Sequence, residues 1–85
     1  MNNVIMRIVT VTGNYQPLVA ASLVAGTVTI SCPPTNAAVV HFKGDDGSDV
    51  PWVAAEYHEF RGVDLKDFQV KGSPGDVVTL VGGTG

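Results

Sequence analysis

The chain is poor in the features that usually staple a small domain together. It has one cysteine, Cys32, in 85 residues, so no disulfide can form within it. Charge is scarce: five Lys and Arg against eight Asp and Glu make 15% charged residues and a net charge of −3. The five cations, Arg7, Lys43, Arg61, Lys66 and Lys71, are scattered. With no basic run to neutralise phosphates, nucleic acid is not expected as a partner. The longest run free of Gly, Pro and charge is far short of the roughly 20 apolar residues that span a bilayer, so no membrane partner is expected either. The opening MNNVIMRIVTVT lacks a basic segment followed by an apolar run and a small-residue cleavage site. Synthesis in the cytoplasm, without export by that route, is the expectation. At 45% hydrophobic residues, the chain is not expected to be disordered.

These absences bear on stability. A domain of this length with neither disulfide nor metal buries too small a fraction of its surface to be more than marginally stable alone. Association is the remaining stabiliser. The 15% charge, against about 25% in an ordinary soluble chain, points the same way: much of the surface is expected to be covered by other subunits.

What is present is β-forming. The chain holds 15 Val, 7 Thr and 3 Ile but only 4 Leu. Its 10 Gly and 5 Pro punctuate it at the spacing of short strands. The pattern predicts a single all-β domain over residues 1–85, a small antiparallel β-sandwich or jelly-roll-like barrel of seven or eight short strands. The first strand runs over Val4–Thr12, with Ile5, Arg7, Val9 and Val11 on one face and Val4, Met6, Ile8, Thr10 and Thr12 on the other. Residues 17–25 fit a short helix or a strand. Gly26 opens a strand over Thr27–Ser31. Cys32-Pro33-Pro34-Thr35-Asn36 is a loop, and Ala37–Lys43 a strand. Asp46-Gly47 suits a tight hairpin. Val50–Ala54 is an edge segment, because Pro51 cannot donate. Residues 55–62 would allow a helix with Val53, Tyr57 and Phe60 on one face, but a strand fits the all-β context better. A turn or single 3₁₀ turn over 63–66 leads to a strand over Asp67–Lys71. Pro74-Gly75 fits a type II turn, across which Asp76–Val81 is expected to pair back, and Gly82–Gly85 forms a tail.

No cofactor and no metal is expected. His41, His58, Glu56, Glu59 and Cys32 are the candidate ligands. Only Glu56 and His58 share a strand face, and a zinc site needs three or four protein ligands. Gly44–Asp49 is acidic but lacks the register of a calcium loop, and reads as a hairpin tip. Cys32 has no basic neighbour or following helix to activate it, and no G-x-S-x-G elbow is present. No catalytic residues are assigned, and an enzyme is not expected. Trp52, Tyr57 and Phe60 lie within nine residues of one another. Three readings stay open for them: core filling, an interface anchor, or a sugar-stacking platform.

The second half carries a resemblance. FKGDDGSDVPW, AAEYHEFRGVDLKDFQVKG and SPGDVVTLVGGTG resemble the small β-sandwich structural proteins of tailed-phage virions. The matching elements are Val63-Asp64-Leu65-Lys66-Asp67 entering a strand, and Gly75-Asp76-Val77-Val78 leading to the closing Gly82-Gly83-Thr84. The resemblance covers about residues 26–85. It implies a capsid decoration (cement) protein on the capsid surface of a virion. Its partners would be the major capsid protein and further copies of itself, most often as a trimer. A carbohydrate-binding module for host attachment, on a head fibre or tail tip, is the alternative. The interface candidates are Trp52 and Tyr57, with Met1 and Val4 at one end and Gly82 and Gly85 at the other.

Overall fold

The computed structural model describes residues 3–85. Eight strands form two antiparallel sheets of four. The strands are β1 (Val4–Thr10), β2 (Gln16–Pro17), β3 (Val24–Ser31), β4 (Val40–Lys43), β5 (Val50–Trp52), β6 (Tyr57–Asp64), β7 (Gln69–Lys71) and β8 (Val77–Gly83), with one 3₁₀ turn over Leu65–Asp67. One sheet has the order β1-β8-β3-β6, the other β2-β7-β4-β5. The architecture is the small all-β sandwich expected from the composition.

Alternation places one face of each sheet inside. Ile5 of β1, Val28 and Ile30 of β3, and Val78 and Leu80 of β8 enter from the first sheet. Val40 and Phe42 of β4, Trp52 of β5 and Val70 of β7 enter from the second. Leu65 from the 3₁₀ turn closes the same core and is fully buried. An aromatic row runs through it. Phe42 stacks on Trp52 with ring centroids 3.9 Å apart, Trp52 lies parallel to Phe60 at 6.5 Å, and Phe60 meets Phe68 edge-on at 5.0 Å.

Two carboxylates pin the loops. Asp76, 8% exposed, accepts the N–H groups of Ala37 (2.9 Å) and Ala38 (3.0 Å). Beside it the Asn36 amide exchanges two bonds with the backbone of Val77, each 2.9 Å. Asp64 accepts from the Ser22 hydroxyl, from Leu23 N–H at 3.0 Å and from Lys66 N–H at 3.0 Å.

These clasps account for several departures from the expected elements. Ala37 and Ala38 give their donors to Asp76 rather than to a strand, so β4 starts at Val40. Residues 17–25 are neither one helix nor one strand. Pro17 ends β2, Val24 opens β3, and Asp64 holds the bend between them by Ser22 and Leu23. Gly26 lies inside β3 instead of opening it. It stands opposite Gly62, which takes a left-handed φ of 63°, and there both strands shift face. Thus Ala25 and Val28, three apart, are both fully buried. The Pro74-Gly75 turn forms, with Asp76 N–H on Ser73 O at 3.0 Å and Gly75 at φ 97°. It does not close a hairpin, however. β8 crosses to the other sheet and pairs with β1 and β3, not with β7. The segment 55–62 is strand, as the all-β context suggested.

Two outcomes follow. Trp52→Ala should cost about 3–5 kcal/mol, the usual range for removing a buried large aromatic, read as a lower urea midpoint. Asp64 also makes the fold acid-sensitive. The Ser22 hydroxyl first, then the Lys66 and Leu23 N–H groups, hold its carboxyl below the usual range. The clasp therefore contributes fully above the unfolded carboxyl's pKa of about 4, and that contribution is lost as pH falls through the lower folded value. Asp64→Asn should flatten the fall in thermal midpoint below about pH 4. An equally steep fall in the variant would show that the clasp does not couple to folding.

Candidate interaction surface

The outer face of the β1-β8-β3-β6 sheet grades from apolar to charged. Cross-strand register aligns it in rows: Val4–Gly83–Thr27–Arg61, Met6–Val81–Thr29–Glu59, and Ile8–Thr79–Ser31–Tyr57. The β1 end is a strip of large apolar side chains open to solvent: Val4 is 79% exposed, Met6 72%, Ile8 73% and Val81 50%. Scattered exposed hydrophobics are normal on any protein, but these four are contiguous neighbours on one sheet face. The β6 end is polar, with Tyr57 68% exposed and Glu59 bonded to Arg61 at 3.4 Å.

The interface residues expected from sequence fare differently. Val4 and Tyr57 lie on this outer face, at opposite ends of it. Trp52 does not. It is 5% exposed and stacked between Phe42 and Phe60, so the anchor expected there is part of the core. The same burial removes its ring as a sugar-stacking platform. Met1 lies outside the described residues. Gly82 is in β8, against the backbone of Thr27, where an added Cβ would overlap Thr27 O. Gly85 packs against Gly26. Thr84 N–H donates to Asn3 O at 3.0 Å, and its hydroxyl accepts from Asn3 N–H at 2.8 Å. The expected free tail is thus folded onto its own sheet. Sequence reading passed over Met6 and Ile8. Both faces of β1 are apolar, and alternation alone does not say which one the second sheet covers.

The titratable residues are dispersed. His58 bonds Glu56 at 2.7 Å, beside Trp52. His41 bonds Asp49 at 3.0 Å in the other sheet. Among the described residues, no three His, Cys, Asp or Glu side chains come together as a metal group. The Asp46 carboxylate accepts Ser48 N–H at 2.8 Å within the loop 44–49 that joins β4 to β5; this is a longer connection than the tight hairpin expected, with Gly47 but not Asp46 at positive φ. A cluster that sequence spacing did not reveal forms on the outer face of the second sheet. Tyr15 donates its hydroxyl to Asp49 at 2.6 Å, and the ammonium groups of Lys43 and Lys71 lie 4.1 and 4.8 Å from its ring centroid. Desolvation, with the bond to Asp49 and its charge, pushes the phenol up to about 12. A groove of about 670 Å³ opens beside β6, floored by Phe60 and Phe68 and rimmed by Asp45, Asp64 and Asp67.

No protein-family model, curated protein or solved structure matches the chain.

Cys32 is 1% exposed. Burial, and then the charges of Glu56 and Asp76, push its thiol up to about 11. The folded protein should therefore resist a thiol-specific disulfide reagent at neutral pH and react with one equivalent only after denaturation. Rapid labelling of the native protein would place Cys32 at an accessible site.

Proposed function

We propose that the chain is a structural protein of a tailed-phage virion that decorates the capsid shell, seated by the outer face of the β1-β8-β3-β6 sheet. The observation that carries this reading is the strip of Val4, Met6, Ile8 and Val81, uncovered on the face of a sheet whose other side is the core. Contiguous apolar surface of this kind marks a binding face on a soluble domain. The resemblance of the second half of the sequence to virion decoration proteins supplies the partner, the major capsid protein.

The physical task of such a protein is simple. A ligand that binds only the assembled shell shifts assembly toward it by mass action. A site spanning two capsomers couples their separation to loss of the ligand's contacts. The polar rows around Thr29, Ser31 and Glu59 would form the rim of the contact and the apolar strip its water-free centre.

The test is to strip the protein from particles and add it back. Decorated shells should withstand heat better than stripped ones. Ile8→Lys, at an exposed position where the fold tolerates change, should weaken rebinding at least about tenfold, the effect of losing a central apolar contact. Equal heat resistance of stripped and decorated shells, or full rebinding by Ile8→Lys, would overturn the reading.

A further inference from the structure

The edge of β1 has a direction that its flanking hydrogen bonds reveal. Val11 N–H donates to Asp76 O at 3.0 Å at one end, and Thr84 N–H to Asn3 O at 3.0 Å at the other. The β1–β8 register is unbroken between them. In an antiparallel ladder, hydrogen-bonded and non-bonded pairs alternate. Ile5, Arg7 and Val9 therefore turn their N–H and C=O groups toward β8, and Val4, Met6, Ile8 and Thr10 turn theirs away from the sheet. Gln16 reaches Thr10 O from that open side at 3.1 Å, consistent with this direction. Among the described residues, nothing pairs with the backbone groups of Val4, Met6 and Ile8.

The other sheet edges are blunted in the ways proteins usually blunt them. β2 has two residues, one of them Pro17. β5 has three, with Pro51 at its centre. β6 is bent at Gly62 and carries Glu59 and Arg61. β1 is seven residues of regular strand with no Pro, no Gly and a single charge, Arg7.

We propose that β1 pairs antiparallel with β1 of a second copy about a two-fold axis, joining two four-stranded sheets into one of eight strands. A two-fold contact requires a surface that complements itself, and this strand does so in one register. With the axis at Met6, Met6 faces its own mate, Val4 faces Ile8 and Ile8 faces Val4. Every outward group of those three residues then gains a partner. Arg7 faces Ile5, so the two arginines stand apart. Moving the axis to Arg7 sets two like charges directly opposite, which destabilises a strand pair. Moving it to Ile5 sets Ile8 past Val4, where β1 of the mate begins. The pairing is edge to edge, so the side chains of Val4, Met6 and Ile8 stay on the outer face. The two apolar strips merge into one band. The use of that band as the shell-facing surface rests on the function proposed above; the pairing itself does not. One strand pair buries less than the about 800 Å² per partner of a standard interface, so the dimer is concentration-dependent. A closed trimer, implied by the family resemblance, would need a heterologous contact in which this strand does not meet itself.

Sedimentation velocity of the purified chain, from micromolar to millimolar, tests the proposal. A monomer–dimer equilibrium is expected. Met6→Pro removes only an outward N–H and should be monomeric throughout, with an unchanged far-UV circular dichroism spectrum. Cysteine pairs test the register, since Cys32 is buried and does not compete. Under mild oxidation Met6→Cys should cross-link to itself. Val4→Cys and Ile8→Cys should cross-link to each other when mixed but not each to itself, because like positions then stand about 13 Å apart. Should Met6→Pro unfold, the cross-linking pattern alone decides. A monomer at millimolar concentration, a trimer, or self-linking of Val4→Cys as fast as that of Met6→Cys would overturn the proposal. A wild-type dimer that ignores stripped shells would sink the decoration reading and leave the pairing standing. A monomer that binds them would do the reverse.

Discussion

A two-sheet sandwich has one interior, and each strand can send only every second residue into it. This constraint governs the rest of the molecule. The core takes Ile5, Val28, Ile30, Val78 and Leu80 from one sheet and Val40, Phe42, Trp52 and Val70 from the other. In β1, where both rows are apolar, the row of Val4, Met6 and Ile8 has nowhere to go but outside. The exposed strip is the geometric remainder of forming one core from a strand whose two faces are nearly alike. On a monomer it costs solvation; against a partner it is binding surface.

Carboxylates hold the loops in addition to the packing of Leu18, Val19 and Leu23 on the core. Asp76 and Asp64 each collect donors from segments about forty residues away in sequence. A chain with no disulfide and little charge thus places two of its eight acidic side chains where they replace missing backbone partners. Bonds to a charged acceptor are stronger than neutral ones. They let the 18–23 and 33–38 segments run irregularly without leaving buried donors unsatisfied, and no buried side-chain polar atom among the described residues lacks a partner.

Residue types alone made the fold class legible. The excess of Val and Thr, the alternation in Thr27–Ser31, and the turns at Asp46-Gly47 and Pro74-Gly75 are local signals, and local sterics decide them. They also separated the two faces of β1 correctly. The partner of a strand is not a local property. That β8 crosses to pair with β1 and β3, and that Trp52 faces inward from a three-residue edge strand, depend on which sheet each strand joins. The Tyr15–Asp49–Lys43–Lys71 cluster likewise assembles residues from four separate parts of the chain.

Sequence by itself therefore determined that this is a small all-β domain with little charge and a surplus of apolar strand residues. Only the tertiary structure decided where the surplus lies. The deciding physics is the covering of one sheet face by the other sheet. That covering buried Trp52 and left Val4, Met6 and Ile8 outside, while packing within the first sheet set Gly82 and Gly85 against β3. The antiparallel ladder with β8 then turned the backbone groups of those same three residues toward the open edge, because N–H and C=O direction alternates along a strand in step with its side chains.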